Sequence, residues 1–425
     1  MQISQKLFNQ QAINNFAKLD AEIQKIQEQV STGKNILSAS DDPVNAVSLS
    51  VANEQKELLQ RYIENADAAD ARLSLADVSI QEAVNTLRRI TELSIQAGSG
   101  TVNKTAILKE IDALKEVVVE IANNRDAQGQ AVFSGFKTNL VPFLKELDGS
   151  VSYIGDRGQH TVQISESMKV KTSLDGGTTF MAVPTGSGVK SVFEIIDNAR
   201  NAVKTASQFK RQGSATGHAE LNLVLPPDPQ EWTFSLVGSK GGVSITSSIA
   251  EGKVTNLVAE INKNTEFTGI TATENTETGS ITLKENFAGE IIMKDVKIKG
   301  TDFGTDDVTS YVRFDSYDGM GNLIGATRHI TDTDQLISSS VNFLENATTH
   351  LGDQLAVVGA NMNKLSQQKN ILAERQILVT EKIGDLGDAD LAELITRLQA
   401  LTLSKQASQA TFSKIGQQTL FDFIR

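Results

Sequence analysis

Imidazole titrates near neutrality and is the commonest nitrogen ligand for metals, so the four histidines are the first residues to weigh. His160, His218, His329 and His350 lie far apart, and none has a second histidine at ligand spacing. The chain has no cysteine, which removes disulfides and thiolate metal sites. Two acidic clusters remain as cation candidates, one of Asp315, Asp318 and Asn322, the other of Asp302, Asp306 and Asp307. Neither keeps the register of an EF-hand loop, and acidic turns account for both. Gly33-Lys34 is followed by Asn35 and lacks the upstream glycine of a Walker A loop. Gly319-Met320-Gly321-Asn322-Leu323-Ile324-Gly325 misses the dinucleotide fingerprint by one residue and reads as a turn. No nucleophile, base and oxyanion donor can be placed together, so the expectation is a protein with no enzymatic activity, no cofactor and no metal.

What does recur is a spacing of three and four between apolar residues. Near the start, Phe16, Leu19, Ile23, Ile26 and Val30 keep it; near the end, Leu391, Leu394, Leu398, Leu401, Phe412 and Ile415 do, with Lys405 and Ser408 filling two positions. So narrow a stripe is the seam of a coiled coil and needs another helix. The two terminal helices either pack together or pack against copies in an assembly. Glycines at 33 and 387 detach them from the rest, which favours packing between copies. That pattern belongs to a building block before it belongs to a catalyst.

Between the termini, a stop and restart at Ser38-Ala39-Ser40-Asp41-Asp42-Pro43 leads into a long helix over about 43–97, with Asp42 as its cap and Pro43 at its first position. Leu59, Tyr62, Ala66, Ala69, Leu73, Ala76, Ile80, Ala83, Leu87 and Ile90 hold one heptad register along it. A third helix, about 103–124, carries Ile107, Ile111, Leu114, Val118 and Ile121, and the short connection makes the pair antiparallel. β-type runs punctuated by glycine fill 126–190, and a helix is expected over 190–207. Six strands and one helix (253–263) are expected in 213–335, where 18 acidic and 9 basic residues carry most of the net charge of −12. A further heptad register runs from Ile337 to Leu386 until Ile383-Gly384-Asp385-Leu386-Gly387-Asp388 interrupts it, and Asp390 with Glu393 reads as a capping box. The fold class is mainly α with an inserted β-rich domain: a long antiparallel helical bundle, terminal helices forming a coiled coil, and an α+β outer domain. The expected divisions are 1–42 with 386–425, 43–212 with 336–385, and 213–335.

Acidity argues against generic nucleic-acid or anionic-membrane partners. No apolar run nears the length that spans a bilayer, and the first residues lack the apolar core of a secretory signal.

Several motifs carry a resemblance. Met1-Gln2-Ile3-Ser4, Val30-Ser31-Thr32-Gly33-Lys34-Asn35-Ile36-Leu37, Ser40-Asp41-Asp42-Pro43-Val44, Gly387-Asp388-Ala389-Asp390-Leu391-Ala392 and Leu420-Phe421-Asp422-Phe423-Ile424 resemble the bacterial flagellin superfamily. Asp42-Pro43-Val44, the run from Asn123 to Phe136 leading to Pro142-Phe143, and Tyr153-Ile154-Gly155-Asp156-Arg157-Gly158-Gln159 are most similar to its hook-associated protein 3 branch. Filament flagellins usually have Asp-Asp-Ala-Ala-Gly at the first of these sites. The match covers about 1–205 and 336–425, while part of 213–335 resembles a small β-α-β-β "hook IN" module. The resemblance implies a structural adaptor that joins the hook, through hook-associated protein 1, to the flagellin filament. A filament-forming minor flagellin is the alternative. It also implies a layer of identical subunits, export through the flagellar type III apparatus without a cleaved signal, and an export chaperone on the C-terminal helix. The terminal helices are then expected to order on assembly, with the seams above as the interface and Asp41, Asp42 and Pro43 as the family's turn.

Overall fold

The computed structural model describes residues 2–99, 102–186, 188–208, 218–225, 228–250, 253–285, 290–299 and 310–417, with side chains within 6–414. The described helices and strands follow in this order. First come α1 (Gln2–Thr32), α2 (Pro43–Gly98) and α3 (Lys104–Ala122). Four short strands follow: β1 (Phe143–Lys145), β2 (Val151–Tyr153), β3 (Thr161–Gln163) and β4 (Lys169–Lys171). Then come α4 (Gly176–Met181), β5 (Val183–Thr185), β6 (Gly188–Lys190) and α5 (Val192–Gln208). The insert holds β7 (His218–Val224), β8 (Gln230–Gly238), β9 (Gly241–Ile249), α6 (Thr255–Lys263), α7 (Thr265–Thr268), β10 (Ile270–Glu274), β11 (Ile281–Glu285), β12 (Ile292–Lys299), β13 (Tyr311–Tyr317) and β14 (Arg328–Ile330). The long α8 (Thr333–Gly387) and the last helix α9 (Leu391–Gln417) complete the chain. Contacts divide it into two compact units: Met1–Asp67 with Gln163–Lys169 and Leu365–Arg425, and Ala68–Val162 with Val170–Lys364. The division falls inside α2 and α8 rather than at their ends.

In the second unit the α2 stripe is buried at Ala69, Leu73, Ala76, Ile80, Ala83, Leu87 and Ile90. Each fully buried Leu or Ile contributes roughly 1.5–3 kcal/mol, and the alternating alanines let neighbouring helices approach closely. Helix α3 runs antiparallel to α2: Arg89 Nε donates to Glu110 at 3.0 Å, and Asn124 Nδ2 to Ser79 Oγ at 2.9 Å. Its buried stripe is Ile107, Ile111, Val118 and Ile121, but Lys115 is buried where Leu114 was expected, and Leu114 is only half-covered. The Lys115 ammonium explains this, because all three of its donors are used. It reaches both Asp197 oxygens on α5 at 2.7 and 2.8 Å and the Gly149 carbonyl at 2.6 Å. Helix α5 thus joins the expected bundle of α2, α3 and α8, packing Ala202 and Ala206 against Ile337 of α8.

A compact knot follows α3. Rings of Phe133, Phe143, Phe180, Phe193 and Tyr153 stack and cross at 5.0–6.3 Å. The Tyr153 hydroxyl lies 2.7 Å from the Asp156 carbonyl, and burial pushes its pKa up to about 12. The Asp156 carboxylate accepts the Phe136 and Gly158 N–H groups at 2.9 and 2.8 Å. Gly135 sits at φ +71, where a Cβ would lie 2.3 Å from the Asp156 carbonyl oxygen, so only glycine fits.

The insert contains two sheets, ordered β10-β11-β7-β13-β14 and β12-β8-β9, around a core that includes Trp232, Phe234, Ile281 and Phe314. The expected strand–helix–strand–strand order appears as β9-α6-α7-β10-β11, with the one-turn α7 added, but β9 and the β10–β11 pair belong to different sheets. Asp332 fastens the insert to α8. Its Oδ1 accepts the N–H groups of Asp334 and Gln335, capping the helix, while Oδ2 accepts the Ile298 N–H of β12 at 3.1 Å. The interruption expected over Ile383-Gly384-Asp385-Leu386-Gly387-Asp388 falls at the far end of that run, where α8 stops at Gly387. In the insert, β12 and β14 add strands that the alternation did not reveal.

Candidate functional site

Among the described residues the titratable side chains are engaged in local structure. The His160 backbone N–H donates to Ser173, and its ring stands edge-on to Phe136. His218 stacks on Tyr317, His329 stacks on Tyr311, and His350 Nε2 lies 2.9 Å from the Thr178 carbonyl. Asp318 is consumed by its own turn, accepting the N–H groups of Met320 and Asn322 and the Asn322 amide. These bonds, with Asn322 foremost, hold its carboxyl below the usual range. Asp315 accepts the Thr327 hydroxyl. Asp302, Asp306 and Asp307 lie outside the described residues. Among the described residues no three His, Asp or Glu side chains converge, and no helix is long and apolar enough to cross a membrane. Trp232, the one tryptophan, is wholly buried in the core of the insert.

The terminal stripes, by contrast, come together in the first unit. Along α9 the described side chains that are not exposed are Leu394, Leu398, Leu401, Lys405, Ser408 and Phe412, spaced four and three in turn. Along α1, Ala12, Phe16, Leu19, Ile23, Ile26 and Val30 match that spacing. The two helices lie antiparallel. Phe412 stacks on Phe8 at 6.1 Å and meets Phe16 edge-on at 5.8 Å, while nearer the linkers Arg397 pairs with Glu22 at 2.8 Å. The seam lysine Lys405 extends its ammonium to Asp20. A charge at a seam position costs stability but fixes register.

The seams therefore face each other within one chain, where packing between copies was the favoured expectation. Both linkers leave from the same level, so the helices return side by side in opposite directions, which the sequence pattern did not reveal. Coverage is incomplete. Ile26 is buried, but the other apolar seam residues with described side chains keep part of their surface in water, and Leu391 is 45% exposed. The Ile415 side chain is outside the described residues.

The turn expected at 41–43 is built as a restart. Asp42 Oδ1 accepts the Asn45 N–H at 3.0 Å, capping α2, whose first residue is Pro43. Asp41 bonds Lys25 of α1 at 2.7 Å and the Ser38 N–H at 3.0 Å, and the Lys25 bond is the main cause holding its carboxyl below the usual range. Asp390 caps α9 through the Ala392 and Glu393 N–H groups. Two features escaped the sequence reading. Gln29 is buried and donates to the Asn35 carbonyl at 2.6 Å. Lys34 and Asp388 form an antiparallel bridge between the linkers. Ala12 was missed too, although it continues the spacing one step before Phe16.

Comparison with known proteins fits these terminal helices. The bacterial flagellin N-terminal helical region matches residues 3–138, and the C-terminal helical region matches 341–424. Flagellar hook-associated protein 3 of Salmonella typhimurium is 26% identical over 216 residues, 48% of this chain and 67% of its own length. Polar flagellin F of Vibrio parahaemolyticus is 23% identical over 397 residues, 92% of this chain and 90% of its own. Among solved structures, flagellar hook-associated protein 3 from Legionella pneumophila aligns with a TM-score of 0.44 and 18% identity, covering 79% of this chain and 98% of its own.

Proposed function

This chain belongs to the bacterial flagellin family, and we propose that within it the chain is a structural adaptor at the hook–filament junction rather than an enzyme. The observation that carries the proposal is the paired terminal seam closed by the Asp41-Asp42-Pro43 restart. It supplies the helical pair an axial subunit needs, with the turn chemistry of the junction branch. The similarity to hook-associated protein 3 over the helical regions supports the same reading. In this role the chain forms a layer of identical subunits, sits on hook-associated protein 1, and receives flagellin above. It leaves the cell through the flagellar type III channel, with a chaperone covering the α9 stripe beforehand. A minor flagellin is the second reading, favoured by the flagellin F match, which spans nearly the whole of both chains.

The test is polymerisation. Purified chain is added to hook fragments that already carry hook-associated protein 1, and the added length is read by electron microscopy. Growth that stops at a short cap and lets flagellin extend from it supports the adaptor. Long filaments made by this chain alone would establish the flagellin reading.

A further inference from the structure

We infer that the two linkers form one paired pivot, so that α1 and α9 re-orient together rather than on separate hinges. The inference rests on the axial reading above and concerns how the terminal pair is carried.

The Asn35 N–H donates to the Gly387 carbonyl at 2.8 Å, and the Ala389 N–H donates to the Gly33 carbonyl at 2.9 Å. These reciprocal bonds make Lys34 and Asp388 an antiparallel bridge between segments some 350 residues apart. Each linker is also tied to its own helix. Gln29 of α1 holds the Asn35 carbonyl, and Lys25 of α1 holds Asp41 at the far end of the same linker. The Asp388 N–H donates to the Gly384 carbonyl at the end of α8. A rotation of α1 therefore pulls on the bridge, and through it on the residues that open α9.

The joint is also built to bend. Lys34, Asn35 and Asp388 are exposed, so the crossing rests on backbone bonds with little apolar packing, which places it at the less stable end of a fold. Gly33 holds φ +68 with open space around its missing Cβ, while at Gly387 a Cβ would press on Leu49 at 3.3 Å. One glycine gives the backbone its turn, and the other lets α8 seat against α2. Ten residues of unpaired linker after α1 would allow that helix to swing alone; the bridge forbids it for as long as it holds.

The decisive variant is Lys34→Cys with Asp388→Cys. The flanking bonds make these a non-hydrogen-bonded antiparallel pair, with Cα atoms about 4.5 Å apart, inside the range a disulfide spans. Both sites are exposed, and the chain has no other thiol. The oxidised and reduced forms are compared for disulfide yield, for amide exchange in α1, and for flagellin growth from hook fragments. The pivot predicts near-complete intrachain oxidation, unchanged α1 protection, and filament numbers within twofold between the two forms. A tenfold or greater loss on oxidation that reductant restores would show that the linkers separate in use, and would overturn the inference. So would a failure to oxidise in both free and assembled protein. If wild-type chain also fails to support growth, the junction reading falls, and disulfide yield with α1 exchange still decides the pivot.

Discussion

Replacing Leu398 by Asp, with Leu403→Asp as its partner experiment, isolates what the terminal seam contributes. Leu398 lies half-buried on the stripe that α9 turns toward α1, whereas Leu403 is 68% exposed on the same helix. Half-burying a leucine contributes about 1 kcal/mol. Placing a carboxylate in that partly dry position costs about 1 kcal/mol more. Both substitutions share the loss of helix propensity on going from Leu to Asp, about 0.5 kcal/mol, which cancels in the comparison. The difference is about 2 kcal/mol, roughly a thirtyfold change in the opening equilibrium of the pair. Hydrogen exchange followed by mass spectrometry reads this directly in α1, the helix that neither substitution touches. Amides of α1 should exchange roughly thirtyfold faster in Leu398→Asp than in Leu403→Asp, while those of α3 and α5 stay unchanged. Equal exchange in the two variants would refute the claim that the α1 and α9 stripes cover each other in the free chain.

Three further outcomes are expected. Asp197→Ala should cost about 2 kcal/mol in urea unfolding, because it strands the buried Lys115 ammonium on the Gly149 carbonyl alone. Lys115→Met should cost less, and the reverse order would mean that the ion pair is not what holds α3 to α5. Asp156, whose carboxyl is held below the usual range chiefly by the Phe136 N–H and next by that of Gly158, contributes stability that is complete above its unfolded pKa of about 3.9 and fades as pH falls through the lower folded value. The urea-midpoint gap between wild type and Asp156→Asn should accordingly be widest near pH 7 and narrow below about pH 4, and a gap independent of pH would remove the carboxylate from the account. Excising 210–331 while keeping the Asp332 cap should leave a folded helical unit that still supports filament attachment, since Ala206 and Ile337 already pack together across the cut; loss of attachment with helicity intact would give the insert a part in the joint.

Much of the helical architecture was legible because period three-to-four is a side-chain signal, and side chains are what a sequence displays. All ten heptad positions named for α2 are buried. On α9 the same spacing picks out the side chains from Leu394 to Phe412 that are not exposed, Lys405 and Ser408 included although their types are wrong for a core, while Leu391 at the start of the stripe is 45% exposed. Residue identity misled where charge was satisfied internally. Apolar spacing put Leu114 on the α3 stripe, whereas Lys115 is its buried centre, because Asp197 and Gly149 complete its shell. The missed β12 has a different cause. Its pairing with β8 slips between Lys294 and Lys297, with Asp295 at φ +55, so two adjacent polar residues interrupt the inside–outside alternation.

The linker bridge marks the limit of this kind of reading. Its two bonds join backbone N–H and C=O groups, which every residue except proline carries. Nothing in the side chains of Lys34, Asn35, Asp388 or Ala389 reports that they are paired. What the sequence does display is the place of the breaks: Gly33 follows Val30 by three residues and Gly387 precedes Leu391 by four, so both helices end close beside their stripes although the linkers that follow differ in length. The backbone groups freed at the two breaks then face each other and satisfy each other. The seam and the pivot are thus one constraint acting at two levels, so moving either break by a single residue should disturb the seam as well as the bridge.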